Sequence, residues 1–183
     1  MTIPAARCRE PPVVVYSFGV QVFLIRHAAA VDETLELRDP HRHLTPEGRE
    51  QARRLGDRLR WHDCAPTQVW TSPLARALQT AELVAFAMQS DVCVEVLPAL
   101  APDGAPRDVV AAVRALAPGA AVMLVGHEPS LSAIGALLVG AADFEGLAKA
   151  QAARIVDGAL RWRFAWDADA PVPAAPAAPA APR

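Results

Sequence analysis

The feature of this sequence that most constrains its fold is a regular alternation of short strand-like runs with helical patterns. The runs have the length of buried strands and the matching β-branched and aromatic content. They lie at residues 20–25, 68–71, 92–96 and 121–125. Consecutive strands joined by helices form parallel sheets that helices cover on both faces. The alternation therefore predicts a single-domain, three-layer α/β fold with a mainly parallel sheet.

Four helices are predicted between and after these strands. Thr45-Pro46-Glu47 is a helix start, with a hydroxyl N-cap, a proline at the first position and an early carboxylate. Ser72-Pro73 starts the second helix, and Pro118-Gly119 stops the third. The predicted helices cover residues 46–61, 72–84, 106–116 and 129–139.

A hairpin is predicted near the end of this pattern. Residues 154–156 and 160–166 are strand-like, and Asp157-Gly158 between them is typical of the tight turn of an antiparallel hairpin. We expect the hairpin to add antiparallel strands at one edge of the sheet.

The chain is predicted to form one domain, at residues 20–168. Its 183 residues suit a single domain, and its 52% apolar content is sufficient for a core, which excludes wholesale disorder. Residues 1–19 contain three prolines and are predicted as a poorly ordered extension. Residues 169–183 are mostly Ala and Pro, so we expect a disordered tail there.

Charge and composition exclude several classes of partner. The chain has 18 Lys and Arg against 20 Asp and Glu, a net charge of −2, which argues against a binder of nucleic acid or of an anionic membrane. No apolar run reaches the roughly 20 residues that a transmembrane helix needs.

The cysteines and the N-terminal segment bear on the compartment. The three cysteines, Cys8, Cys64 and Cys93, form neither a disulfide framework nor a zinc motif, which favours a reducing cytoplasm. Residues 7–30 are similar to a secretory signal, with arginines, an apolar stretch and three alanines. Because Ser17 and Gln21 interrupt that stretch, we expect a cytoplasmic protein.

Two of the predicted strands end in a histidine. His27 follows Arg26 at the end of the first strand, and His127 follows Gly126 at the end of the fourth. Ligands of parallel α/β sheets bind outside the carboxyl ends of the strands. We therefore expect the two imidazoles to face each other across a pocket.

Arginines are predicted around the same pocket. Arg76 lies in the first turn of the second helix, where a cation is unfavourable unless an anion is nearby. Arg42 precedes the start of the first helix, and Arg26 adjoins His27. Two histidines and three arginines near helix N-termini favour a site for a small multivalent anion, most simply phosphate.

These residues belong to three segments that together resemble the motifs of the histidine phosphatase superfamily. The segments are Leu24-Ile25-Arg26-His27-Ala28, Ser72-Pro73-Leu74-Ala75-Arg76-Ala77-Leu78-Gln79-Thr80 and Val125-Gly126-His127-Glu128-Pro129. The resemblance covers about residues 21–166. The small size, Arg42-x-Leu44-Thr45 and the lack of a large insertion after Arg76 are similar to its SixA branch, the phosphohistidine phosphatases.

The resemblance implies a role for each residue of the site. His27 would attack phosphorus and form a phosphohistidine intermediate that water hydrolyses. Arg26, Arg76 and Arg42 would bind the phosphoryl oxygens, and His127 would donate a hydrogen bond to them. No metal or other cofactor would be needed. Ala28, counted with the substrate-binding residues, is a departure from the family, which usually has glycine after the nucleophile; its methyl group would either crowd the pocket or replace a tolerated glycine without effect.

The proton donor for the leaving group has no secure candidate. Asp103, in a Pro-Asp-Gly turn, is a possible general acid, and Glu128 adjoins His127 and is a possible substrate contact. A leaving imidazole, with a ring pKa near 6.5, needs such an acid less than an alkoxide does. The sequence therefore favours phosphohistidine on a protein as substrate.

Three alternatives stay open at this point. The chain could hydrolyse a small phosphorylated metabolite, or it could be an inactive module that binds phosphate or a phosphoprotein. His41 and His43 could instead share a metal ion, although no carboxylate or cysteine supports them at metal-ligand spacing. We expect a monomer that acts without metal.

Overall fold

The computed structural model describes residues 19–174 of the 183-residue chain. In this part of the chain seven strands form one sheet, and four α-helices pack on it. The strands are β1 (Gln21–Arg26), β2 (Gln68–Thr71), β3 (Val94–Val96), β4 (Ala121–Gly126), β5 (Gln151–Val156), β6 (Ala159–Ala165) and β7 (Val172–Pro173). The helices are α1 (Pro46–Trp61), α2 (Ala75–Ala87), α3 (Pro106–Arg114) and α4 (Ser130–Val139).

The sheet has a parallel half and an antiparallel half. Its order is β3-β2-β4-β1-β5-β6-β7, with β3, β2, β4 and β1 parallel to one another. Strands β5, β6 and β7 continue the sheet beyond β1 by antiparallel pairing. The predicted α/β fold is confirmed, as is the edge hairpin. The expectation of a mainly parallel sheet holds for only half of the pairings, because the hairpin is extended by a third strand.

Helices cover both faces of the sheet. Alternate side chains of β1 enter two hydrophobic clusters: Phe23 and Ile25 pack with α1 and α2, whereas Val22 and Leu24 pack with α3 and α4. A strand buried on both faces needs apolar residues at every position, and this accounts for the uninterrupted apolar run in its sequence.

The helices begin close to their predicted starts. Thr45 caps α1, since its Oγ1 accepts a hydrogen bond from the Gly48 amide at 3.0 Å. Helix α2 begins at Ala75, three residues after the predicted start at Ser72, because Ser72 Oγ accepts a bond from the Leu74 amide at 3.3 Å and holds a separate turn there. Arg76 is thus the second residue of α2.

The prediction of a disordered tail at residues 169–183 is wrong for residues 172–174. Val172 and Pro173 pair with β6, and the Ala174 amide donates to the Arg161 carbonyl at 2.9 Å. Without β7, strand β6 would be a sheet edge with unpaired backbone groups, and even a short proline-containing strand satisfies some of them. Disorder is also predicted for the N-terminal extension and for the rest of the tail. Residues 1–18 and 175–183, which make up most of those segments, lie outside the described residues.

Candidate active site

The two predicted histidines meet at the carboxyl ends of adjacent strands. Arg26 of β1 is in register with Gly126 of β4, and the His27 amide donates to the Gly126 carbonyl at 3.1 Å. The residues after these positions, His27 and His127, therefore leave the sheet side by side. Their ring centroids are 5.0 Å apart and the rings are inclined at 54°.

His27 is held in a single tautomer. Its Nδ1 lies 2.7 Å from the carbonyl oxygen of Ala28, and because a carbonyl can only accept, Nδ1 carries the hydrogen. The lone pair is then on Nε2. Burial lowers the pKa of His27 to about 4, and the charges of Arg76 and Arg26 act in the same direction. At neutral pH His27 is an uncharged imidazole whose Nε2 can act as a nucleophile.

His127 is positioned by Ser72, at the end of β2. Its Nε2 lies 2.9 Å from Ser72 Oγ. That hydroxyl accepts a bond from the Leu74 amide and can donate its own hydrogen to Nε2, an arrangement in which the His127 hydrogen is on Nδ1. Burial, then the neighbouring His27, lowers the pKa of His127 to about 3. His127 is therefore an uncharged imidazole at neutral pH, and its Nδ1 is a donor when Ser72 donates to Nε2.

Arg76 is buried, with only 5% of its surface exposed. Its Nη1 donates to the Asp39 carbonyl oxygen at 2.9 Å, and its Nη2 donates to Asp39 Oδ2 at 3.1 Å. A guanidinium near the N-terminus of α2 opposes the helix dipole, and the Asp39 carboxylate offsets that cost.

Arg42 reaches the same carboxylate from the segment between β1 and α1. Its Nη1 is 3.1 Å from Asp39 Oδ1, and its Nε donates to the Val31 carbonyl at 2.7 Å. The structure therefore connects Arg42 with Arg76 through one shared acid, Asp39.

Three buried nitrogens at this end of the sheet have no hydrogen-bond partner among the described residues: Arg26 Nε, Arg76 Nε and His127 Nδ1. Arg26 is fixed by its Nη1, which donates to the Leu147 carbonyl at 2.9 Å. Buried donors are rarely left unpaired, and unpaired ones at one site indicate a ligand that accepts hydrogen bonds. An oxyanion with several oxygens, such as a phosphoryl group, has the required acceptors.

Side chains of α1 and α2 hold the segments that carry these groups. Thr80 Oγ1 accepts from the Ala28 amide at 3.1 Å and donates to the Arg76 carbonyl at 2.7 Å. Gln79 Oε1 accepts from the Leu44 amide at 2.8 Å, and Gln51 Oε1 accepts from the Ala29 amide at 3.0 Å. These bonds tie the residues after His27 and Arg42 to the helices.

Ala28 is fully buried in the hydrophobic cluster beneath α1 and α2. The extra methyl group thus lies against the core, where it is accommodated by packing. Its carbonyl is the acceptor for His27 Nδ1, so the backbone of Ala28 serves the site.

The two carboxyl groups singled out in the sequence have different surroundings. Glu128 Oε1 accepts from the Leu147 amide at 2.8 Å, and Oε2 accepts from the Ser132 amide at 3.2 Å and from its hydroxyl. Both of its oxygens are therefore engaged with α4 and the segment before β5. Asp103 is exposed in a turn and makes no hydrogen bond or ion pair with any described residue.

His41 and His43 are exposed on the segment before α1. Within residues 19–174, no group of three or more His, Cys, Asp or Glu side chains is arranged to hold a metal ion. In the same range no helix is both long enough and apolar enough to cross a bilayer.

Sequence reasoning missed two residues of the site, Asp39 and Ser72. Asp39 is one of several acids in the segment before α1, and nothing in the sequence distinguishes it from Asp32, Glu33 or Glu36. The sequence predicts Ser72 as a helix start, whereas its hydroxyl bonds to His127. Its position at a strand end was the available signal.

Comparison with known proteins agrees with this geometry. The family model of the histidine phosphatase superfamily (branch 1) matches residues 22–101. An uncharacterised protein of a Picosynechococcus species is 33% identical over 114 residues, which are 61% of this chain and 68% of the relative.

Solved structures with the same fold include two SixA proteins. The protein histidine phosphatase SixA complexed with tungstate is 27% identical, with a TM-score of 0.74 over 80% of this chain and 97% of that chain. The proposed phosphohistidine phosphatase SixA of Agrobacterium tumefaciens is 25% identical, with a TM-score of 0.68 over 76% and 93%. A mycobacterial glucosyl-3-phosphoglycerate phosphatase with VO3 shares the fold alone, at 19% identity and a TM-score of 0.56 over 78% and 96%.

Proposed function

The chain belongs to the histidine phosphatase superfamily, in its SixA-type branch, and from that premise we propose that it hydrolyses phosphohistidine on a protein. The observation that carries this proposal is a buried, neutral His27 with a free Nε2 beside unpartnered guanidinium and imidazole donors. A nucleophile and oxyanion donors at one site are what phosphoryl transfer requires.

In the first step, His27 Nε2 attacks phosphorus. The phosphorus–nitrogen bond of the substrate breaks, and its electron pair returns to the leaving imidazole. Arg26, Arg42 and Arg76 bind the oxygens of the transferring group, and His127 Nδ1 donates to them. Because the transition state carries its charge on these oxygens, fixed cationic donors stabilise it without rearranging.

In the second step, a water molecule attacks the phosphorus of the His27 intermediate. The bond to Nε2 breaks, inorganic phosphate forms, and His27 recovers its lone pair. The hydrogen bond from Nδ1 to the Ala28 carbonyl persists through both steps and keeps the ring in place.

The nature of the nearby carboxyl groups supports phosphohistidine over a phosphate ester. An alkoxide leaving group needs a protonated acid, but the oxygens of Glu128 are occupied by backbone and hydroxyl donors. Asp39 is ionised, since hydrogen bonds from Arg76 and Arg42 outweigh its partial burial and lower its pKa. A substrate imidazole protonated on its other nitrogen leaves as a neutral ring without such an acid.

Trapping of the intermediate tests the proposal. We expect brief incubation with a phosphohistidine-bearing protein, at neutral to alkaline pH and in EDTA, to place one phosphoryl group on His27, detected by mass spectrometry. His27→Ala should not be labelled, whereas the matched variant His43→Ala, an exposed histidine, should be labelled like the wild type.

The outcomes of that experiment are distinct. A wild type that turns over small phosphomonoesters and does not react with phosphohistidine would reverse the substrate assignment. A protein that binds oxyanions and never becomes phosphorylated would be a binding module. Loss of labelling in EDTA, restored by a divalent ion, would contradict our proposal that the reaction needs no metal. We also propose that the protein acts as a cytoplasmic monomer.

A further inference from the structure

Asp39 occupies an unusual place for a carboxylate, between two arginines assigned to phosphoryl binding. Its Oδ1 lies 3.1 Å from Nη1 of Arg76 and 3.1 Å from Nη1 of Arg42. Its Oδ2 accepts from Arg76 Nη2, also at 3.1 Å, and its backbone carbonyl accepts from Arg76 Nη1 at 2.9 Å. A negative group this close to an anion site weakens anion binding by simple electrostatics, so its presence needs a reason.

The edges of the Arg76 guanidinium provide that reason. A guanidinium has one edge formed by its two Nη groups and a second edge formed by Nε and Nη2, and each edge can bind two oxygens. Asp39 takes the first edge completely. Arg76 Nε is buried and has no partner within residues 19–174, so the second edge is the one available to substrate.

We propose that Asp39 is a positioning residue. It binds the Nη edge of Arg76, so that the Nε edge faces the phosphoryl group, and it fixes Arg42 relative to Arg76. This inference rests on the proposed function. Asp39 touches neither substrate nor reacting atoms and acts only through the two arginines.

The surroundings of Arg76 show why this ion pair with Asp39 is needed. A free arginine side chain has several rotatable bonds, and fixing it costs conformational entropy. Because Arg76 lies in the first turn of α2, the helix dipole also opposes its charge. An ionised partner fixed before substrate arrives removes both penalties from the binding step.

The sign of the effect on anion affinity distinguishes positioning from competition. Removing a carboxylate that merely competes with substrate should tighten anion binding, whereas removing one that orients the arginines should weaken it. Tungstate is a suitable probe, since its affinity depends on the oxyanion donors and not on the identity of the substrate or on turnover.

The experiment compares the full-length wild type with Asp39→Asn, Asp39→Ala and Asp39→Glu by tungstate calorimetry and by steady-state kinetics on a phosphohistidine-bearing protein. We expect Asp39→Ala to weaken tungstate binding and lower kcat/KM by about 10–100-fold, as loss of a supporting contact does elsewhere. Asp39→Asn, which has the same size, should lie between Asp39→Ala and the wild type, and Asp39→Glu should recover part of the loss. Asp32→Asn is the control, because it removes an exposed charge from the same segment and should change both quantities by less than about twofold.

Each result decides the question. Tighter tungstate binding in Asp39→Asn would identify Asp39 as a competitor, and unchanged binding and kinetics would show that it does not position Arg76; either would overturn this inference alone. A wild type that does not bind tungstate would contradict the proposed function. Thermal unfolding of each variant separates a folding defect from a local one, and Asp39→Asn keeps the test valid if Asp39→Ala does not fold.

Discussion

The parallel and antiparallel halves of the sheet place their arginines in different surroundings. At the carboxyl end of the parallel half, Arg76 is buried, and its Nε has no partner in the part of the chain that the structure describes. In the antiparallel half, Arg163 lies with its guanidinium 4.6 Å from the centre of the Phe144 ring and donates to the Glu145 carbonyl at 2.7 Å. Arg154 likewise packs over Phe23. Arg154 Nε and Arg163 Nη1 are also buried without a partner among the described residues, so unpaired guanidinium nitrogens occur in both halves, but only those of the parallel half lie at the strand ends that carry His27 and His127.

The comparison shows where this molecule buries polar and charged side chains at a cost in stability. Every buried polar or charged residue in the described part of the chain lies at or near the carboxyl edge of the parallel strands; they are His27, Gln51, Thr71, Ser72, Arg76, Thr80, His127 and Ser130. Burying a charge or an unpaired donor costs stability, so such groups are retained where binding uses them. Substitutions at this edge should therefore lower activity, whereas substitutions in the antiparallel half should mainly lower stability.

The largest contrast is expected for His27→Ala. We expect hydrolysis to fall on the order of 10⁴–10⁶-fold, as in other enzymes that lose a nucleophile, while the folded state is retained. His27 lies at a strand end and makes no side-chain bond beyond its own segment. Steady-state rates with circular dichroism check this; substantial residual hydrolysis would remove the covalent mechanism.

Arginine-to-lysine exchanges compare the two halves directly. Arg76→Lys keeps the charge but loses the planar edge that binds two oxygens, and should lower kcat/KM by about 10²–10³-fold. The matched exchange Arg163→Lys, in β6, should leave kcat/KM within about twofold and lower the thermal midpoint, because lysine loses the planar contact with Phe144. Equal losses in both variants would mean that the halves are not functionally distinct.

Acid stability should show a smaller effect, confined to the parallel half. Burial lowers the folded-state pKa of His27 to about 4 and of His127 to about 3, below the value of about 6.5 expected in the unfolded chain. Below pH 6.5 the unfolded chain therefore binds more protons, and stability decreases as the pH falls toward 4.

Each histidine should account for about 2 kcal/mol of this loss between pH 6.5 and 4.5. His27→Gln and His127→Gln should each flatten the dependence of unfolding free energy on pH, measured with urea. Parallel curves for the wild type and both variants would show that the imidazoles are not kept neutral by burial.

Much of the fold and part of the site could be predicted from local patterns. The Thr45-Pro46-Glu47 start of α1 and the Asp157-Gly158 turn are short-range signals, since capping and turn geometry depend on neighbouring residues. The pairing of His27 with His127 followed from one general rule, that parallel strands present their carboxyl ends at the same edge. These predictions required no knowledge of which side chains touch.

Contacts between distant segments could not be predicted in the same way. The sequence determined the strands, the helices and the residue types at the strand ends, because apolar periodicity and capping act over a few positions. Only the tertiary structure decided that Asp39, 37 residues from Arg76, takes one edge of its guanidinium, that Ser72 hydrogen-bonds to His127, and that β7 pairs with β6. Hydrogen bonds are directional and depend on ångström-scale placement, which no local pattern in the chain encodes.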